Sequence, residues 1–149
     1  MATRSAIAIR HGDRIKAVSC HWDGYPDGVG AILQENYLDS VKLSKLISMG
    51  DISSLGEEIG QTHPFSQFEC TPEEWNEELF STWTTFYGRD RGEVGGEYKS
   101  FATTAEFVDF YTQSWCEYFY LYDHGTWLVR GCEGEFKSLL EVINQVQEA

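Results

Sequence analysis

The sequence lacks the features that would mark a membrane, secreted or zinc-binding protein. No apolar run approaches the 18 residues of a membrane-spanning helix, and the opening MATRSAIAIRHGDR reaches a charged turn before a signal-like apolar core develops. No CxxC pair and no histidine at zinc-ligand spacing accompany the four scattered cysteines, Cys20, Cys70, Cys116 and Cys132. We therefore expect a cytoplasmic protein with reduced thiols, no membrane contact and no structural metal.

Positive charge is also scarce. The chain has 149 residues with 11 basic and 24 acidic side chains, for a net charge of −13. Residues 1–50 carry a net charge of +1, whereas residues 51–149 carry −14. Such a surface repels nucleic acid and anionic membranes, and it favours a protein partner with a basic cleft. The alternative interpretation is an acidic surface that only keeps the protein soluble.

Catalytic and cofactor motifs are missing as well. The sequence has no HExxH, GxSxG or paired-carboxylate motif, and neither a GxGxxG fingerprint nor a phosphate-binding loop. Cys20 and His21 are neighbours on a predicted strand, so their side chains point to opposite faces and do not form a nucleophile and base pair. We predict no enzymatic activity and no cofactor.

The patterns that are present predict an α+β fold. One domain is expected over 1–149, because a chain of this length can bury a sizeable core. β-prone runs flank the turn RHGDR near the N-terminus and a second turn at Asp123 to Gly125, which predicts two β-hairpins. Helices are predicted to begin at Pro26 and after Thr103, whose spacing to Glu106 suits a capping box. We expect the hairpins to form a small antiparallel sheet, with about four to five helices covering one face.

An acidic helix is predicted between the two hairpins, within an additional segment at about 62–85. Thr71, Pro72 and Glu74 have the spacing of a helix start, and Trp75 and Trp83 then recur at helical intervals. The predicted protein-binding surface consists of acidic and aromatic side chains from this region, Glu69, Glu73, Glu74, Glu77, Glu78, Trp75 and Trp83, with Phe86 as a further aromatic anchor. The alternative is a solvated face on a structural helix.

Two other motifs suggest a ligand site. The first is the segment CHWDGYP, in which aromatic and acid–base side chains meet a glycine-rich strand-to-helix turn. The second is YGRDRGE, whose arginines are suited to grip phosphate. If the two met in space, six side chains would form a pocket for a phosphorylated small molecule: His21, Trp22, Asp23, Tyr25, Arg89 and Arg91. The alternatives are a packed corner for the first motif and an ordinary salt-bridge network for the second.

The segments CHWDGYPDGVGAIL, SMGDISSLGE and FYGRDRGE together resemble a family of small acidic, mostly uncharacterised proteins of tailed bacteriophages and prophages. The resemblance covers the first fifty-odd residues, the YGRDRGE segment and the C-terminal hairpin and helix, but not the region 62–85. It implies action on host machinery, by occupying the basic nucleic-acid site of a defence or transcription protein.

The leading hypothesis is therefore a phage-encoded, anti-CRISPR-like inhibitor that binds a host defence protein through an acidic surface mimicking nucleic acid. The alternative is a binder that sequesters a nucleotide-type immune signal. A metal-dependent hydrolase that uses His21 and Asp23 is the third hypothesis.

Overall fold

A mixed eight-stranded sheet organises the chain in a computed structural model that describes residues 2–148. The strands are β1 (Arg4–His11), β2 (Arg14–Cys20), β3 (Ile52–Ser54), β4 (Thr85–Phe86), β5 (Lys99–Phe101), β6 (Cys116–Asp123), β7 (Thr126–Arg130) and β8 (Lys137–Ser138). Their order across the sheet is β4, β3, β2, β1, β6, β7, β8, and β5 pairs with a separate stretch of β2.

Both predicted hairpins form, but the sheet is neither small nor antiparallel throughout. β1 pairs with β2 and β6 pairs with β7, each antiparallel across a tight turn. The hairpins join through β1 and β6, which run parallel with Ile7 opposite Tyr120, and β3 also runs parallel to β2. A parallel pair requires a long crossover connection, which local turn signals do not reveal. This is why the sequence patterns missed the central pairing.

Six α-helices and two other helical turns lie within residues 2–148. The helices are α1 (Ala31–Asn36), α2 (Ser40–Ser48), α3 (Glu77–Phe80), α4 (Tyr87–Arg91), α5 (Thr104–Gln113) and α6 (Leu139–Glu148). A π-helical turn at Pro26–Gly30 leads into α1, and a 3-10 turn occupies Gln67–Glu69. None of the described helices is long and apolar enough to cross a membrane.

Helices cover both faces of the sheet, not one face as predicted. Alternate residues of the central strands point to opposite sides. Ile7, Val18 and Tyr120 pack on the face covered by α1, α2 and α6. The other face packs on α5, where Phe107 and Tyr111 are buried. The fold is therefore α+β with a layer of helices on each side of the sheet.

The long acidic helix predicted from Thr71 does not form. Half of the predicted capping box is present, because the Thr71 N–H donates to Glu74 Oε1 at 3.3 Å. The Thr71 hydroxyl donates to the same oxygen at 2.9 Å and caps no N–H, so the segment closes only a turn. The helix in this region is α3, which is capped by Asn76 and lasts four residues. Aromatic side chains here pack into a cluster and not along one helical stripe, so tertiary packing overrides the local start signal.

Candidate functional site

The acidic segment, which we define as residues 67–78, presents its carboxylates to solvent. Its five glutamates, Glu69, Glu73, Glu74, Glu77 and Glu78, are all exposed. Three of them make contacts within the chain: Glu69 pairs with Arg91 at 3.4 Å, Glu74 accepts from Thr71, and Glu77 accepts from Trp75 Nε1 at 2.6 Å. The segment therefore holds a dense set of negative charges on a surface that is partly fixed by local hydrogen bonds.

A cluster of aromatic side chains packs against one another beneath the carboxylates of the acidic segment. Trp75 contacts Phe80 with ring centroids 5.1 Å apart, and Phe80 lies 5.5 Å from Trp83 and 5.0 Å from His63. Both tryptophans are half-buried in this cluster. The prediction that Phe86 is an exposed anchor is wrong, since its side chain is fully buried in the main core. Phe68 is the apolar side chain that the acidic segment leaves most open, at 88% exposure.

A buried ion pair between Arg89 and Asp90 fastens both ends of the region to the sheet. The Asp90 side chain is 0% exposed and accepts from Arg89 Nε at 2.9 Å. The guanidinium also donates to the carbonyl oxygens of Ile59 and Thr84, at 2.9 and 2.8 Å. Asp90 further accepts from the backbone N–H of His63. This hub joins the chain before the acidic segment to the chain after it.

The phosphate clamp predicted for Arg89 and Arg91 is not formed. The guanidinium N–H groups of Arg89 donate to Asp90 and to backbone carbonyl oxygens, so they are not directed at a ligand. Arg91 lies on the Phe65 ring at 4.4 Å and bridges Glu69 and Glu93. The YGRDRGE motif thus builds a salt-bridge network, with a buried half that fixes the fold and an exposed half beside the acidic segment.

The CHWDGYP motif folds as a packed strand-to-helix corner. Tyr120 Oη donates to the Gly24 carbonyl at 2.6 Å, and a Cβ at Gly24 would lie 2.8 Å from the Ser5 side chain. Two N–H groups at the helix start are already used, because Gly28 N–H donates to Tyr25 O and Val29 N–H donates to Asp23 O. They are not free to bind an anion, and the glycine of this turn serves close packing.

The polar residues of the corner do not converge on one ligand. Trp22 is 46% exposed with its ring edge against His21, and Tyr25 Oη donates to Asp23 Oδ1 at 3.0 Å. That hydrogen bond and the Asp23 charge raise the pKa of the Tyr25 hydroxyl. Among residues 2–148, no three His, Cys, Asp or Glu side chains form a group that could hold a metal ion, so His21 and Asp23 have no third ligand there.

Burial makes two of the thiols unreactive. The pKa of Cys20 is raised to about 12 by burial, and the same cause raises the pKa of Cys116 to about 12. At neutral pH both remain thiols, which are poor nucleophiles and poor metal ligands. The two cysteines therefore act as small core side chains.

His63 and Asp90 are buried structural partners that sequence reasoning missed. Their partnership joins positions 27 residues apart, and the only local signal is a histidine before a proline in an acidic region.

Family comparison adds no residue roles to this geometry. No protein-family model, curated protein or solved structure matches the chain.

Proposed function

We propose that this chain is an inhibitor that binds a host defence protein through the acidic segment. The observation that carries the proposal is the exposed carboxylate set of residues 67–78, held on an aromatic cluster and a buried ion pair. A fixed array of carboxylates presents negative charge to a basic cleft without the entropy cost of ordering a flexible loop. The resemblance to small acidic phage proteins supplies the context of infection and the cytoplasm of a bacterial host.

The charge distribution supports a protein partner whose cleft ordinarily takes nucleic acid. Residues 51–149 carry a net charge of −14, and the acidic segment lies within them. Dense carboxylates steer a positively charged surface into contact and raise the association rate. Phe68 and Leu79, both exposed, provide apolar contact area beside the charges. Competition with nucleic acid for one basic cleft is the mechanism of inhibition.

The test is affinity capture from a bacterial host lysate at low and at high salt. Three baits are compared: the unchanged chain, an acidic-segment variant with Glu73, Glu74, Glu77 and Glu78 changed to Gln, and a matched control. The control changes four exposed glutamates elsewhere to Gln, Glu117, Glu133, Glu135 and Glu141, so that both variants have the same net charge.

The proposal predicts a stoichiometric partner that the unchanged chain and the control retain and the acidic-segment variant loses. High salt should release the partner from the unchanged chain and from the control. Added nucleic acid should displace the partner from the unchanged chain. Equal retention by both variants would show that the partner docks elsewhere, and an empty bait at low salt would count against a protein target.

A further inference from the structure

A cavity of about 250 Å³ lies on the α5 face of the sheet, and none of the residues that line it belongs to the acidic segment. Its polar lining comes from Arg4 of β1, Ser19 of β2, His21 just after β2, Asp51 just before β3, Lys99 of β5 and Ser114 just after α5. The ring of Tyr87 and the C-terminal part of α5 form its apolar walls. Within residues 2–148, the ion pair and hydrogen bonds of the acidic glutamates involve none of these side chains.

The cavity occurs where the outer edge of β2 changes partners. β5 pairs with β2 up to Ala17, and β3 pairs with it at Cys20. Between the two, the Ser19 N–H donates to Asp51 Oδ1 at 3.0 Å, so a side chain takes the place of a strand. Burial raises the pKa of Asp51, as expected for a carboxylate withdrawn from bulk water.

Two basic side chains, Arg4 and Lys99, line the same cavity, and each has one long hydrogen bond within the described residues. Arg4 Nε donates to His21 Nδ1 at 3.4 Å, and Lys99 Nζ donates to the Glu97 carbonyl at 3.3 Å. Within the described chain, neither Arg4 nor Lys99 has a nitrogen within 4 Å of a carboxylate oxygen. Other basic side chains do form such pairs, namely Arg10, Lys42, Arg89 and Arg91. The lining of the cavity thus holds two basic side chains and one carboxylate, and the charge of Glu97, outside the lining, also acts on Asp51.

His21 completes the donor set. Burial and the Arg4 charge lower the pKa of His21, so the ring is neutral at pH 7. Since Nδ1 accepts the hydrogen bond from Arg4, the ring proton resides on Nε2, which is a donor. The cavity therefore offers donors from Arg4, Lys99 and His21, and one acceptor from Asp51.

We propose that this cavity binds a small organic anion that carries a hydrogen-bond donor. The anionic group, a carboxylate or a phosphate, pairs with Arg4 and Lys99, which are the side chains suited to oxyanions. The donor of the ligand bonds to Asp51. The volume lies below the 300–1,000 Å³ of drug-sized sites, so the occupant is smaller than a dinucleotide.

The test uses four probes that separate the two anion types and the donor. Glycine and phosphoethanolamine carry an ammonium group with a carboxylate or a phosphate, while acetate and inorganic phosphate carry no ammonium group. Binding is followed by amide chemical shifts of the full chain. We expect shifts at Ser19, His21 and Lys99, with at least tenfold tighter binding of one ammonium-bearing probe than of its simple anion.

Variants locate the interaction. Arg4→Gln with Lys99→Gln should weaken binding at least tenfold, whereas the control Arg14→Gln with Lys45→Gln, of equal charge change, should leave it unchanged. Asp51→Asn keeps an acceptor for Ser19 but loses the carboxylate, so it should remove the preference for the ammonium group. No binding of any probe at 10 mM, equal loss in both double variants, or shifts confined to another surface would overturn the proposal.

Discussion

At the scale of single residues, Arg89 and Asp90 decide how the acidic region is attached. Their ion pair is almost fully removed from water, with 10% and 0% of the side chains exposed. Arg91, two positions away, has 46% of its side chain exposed and pairs at the surface. The sequence places these charges side by side and gives no sign of which one is buried, because burial depends on the distant carbonyls that Arg89 contacts.

Arg89→Ala should destabilise the fold by about 3–5 kcal/mol, because it leaves the buried Asp90 carboxylate without its partner. Arg91→Ala is the matched control and should cost less than about 1 kcal/mol, as exposed ion pairs do. The free energy of unfolding from urea titrations checks both values. Similar losses in the two variants would contradict the assignment of Arg89 as the structural arginine.

Asp51 makes a prediction about pH. Its pKa is raised in the folded state, mainly by burial, so the native protein binds this proton more tightly than the unfolded chain, where the carboxyl pKa is about 3.9. The contribution of Asp51 to stability is thus greatest below pH 3.9 and falls as pH rises through the raised pKa.

Asp51→Asn removes this titration and keeps an acceptor for the Ser19 N–H. Urea unfolding of both proteins from pH 3.5 to 7 should show that the unchanged chain loses stability relative to the variant as pH increases. A relative stability that instead grows with pH would mean that attraction to Lys99 outweighs burial and that the pKa is lowered.

At the scale of elements, one sequence pattern has two outcomes. Thr103 with Glu106 begins the ten-residue helix α5, where Thr103 Oγ1 accepts from the Glu106 N–H and the Ala102 N–H donates to the Glu106 carboxylate. Thr71 with Glu74 has the same spacing and closes only a turn. The difference lies in the packing beyond the cap, because Phe107 and Tyr111 bury one face of α5 on the sheet, whereas residues 71–74 are all exposed.

Thr103→Ala should therefore cost about 1 kcal/mol of stability, the usual effect of losing a helix cap. Thr71→Ala should cost less than about 0.5 kcal/mol, as for a surface substitution that caps no helix. Thermal and urea unfolding of the two variants provide the comparison. A cost at Thr71 equal to that at Thr103 would indicate that a helix does form from Thr71 in solution.

Gly60 fixes the packing of the aromatic cluster under the acidic segment. It has φ +69°, and a Cβ there would overlap the indole ring of Trp83. Gly12 in the first hairpin has a similar φ of +59° with no atom within 4 Å of a Cβ position. Gly12→Ala should cost about 1–2 kcal/mol from backbone strain alone. Gly60→Ala should cost about 1–3 kcal/mol more because the indole must move. Urea unfolding and the near-ultraviolet dichroism of the tryptophans separate the two cases, and equal costs would contradict the contact.

At the scale of the whole molecule, local patterns predict elements better than their assembly. The hairpins, the helix at Pro26 and the cap at Thr103 follow from turn chemistry and short-range periodicity. The parallel pairing of β1 with β6 joins residues more than 100 positions apart, and the attachment of the acidic region depends on Arg89 reaching backbone carbonyls near 30 positions away. Such long-range contacts leave no periodic trace in the sequence.

The candidate site shows the same division. The exposure of the glutamates in the acidic segment follows from their charge. Whether Arg89 or Arg91 is buried does not follow from the charge of the arginines. A carboxylate is exposed unless it finds a buried partner, so a group of closely spaced glutamates predicts a surface. An arginine beside an aspartate in the sequence is compatible with two roles, binding a phosphate or forming a buried ion pair. Only the fold decides between the two.

We propose that the acidic segment, and not net charge in general, recognises the partner. The most direct measurement is the association rate constant of the captured partner against ionic strength, for the unchanged chain, the acidic-segment variant and the matched control. We expect the unchanged chain and the control to share a rate constant that falls steeply with salt. The acidic-segment variant should associate at least tenfold more slowly, with a shallower salt dependence. Equal slowing in the variant and the control would contradict it, because total charge would then steer the encounter from any part of the surface.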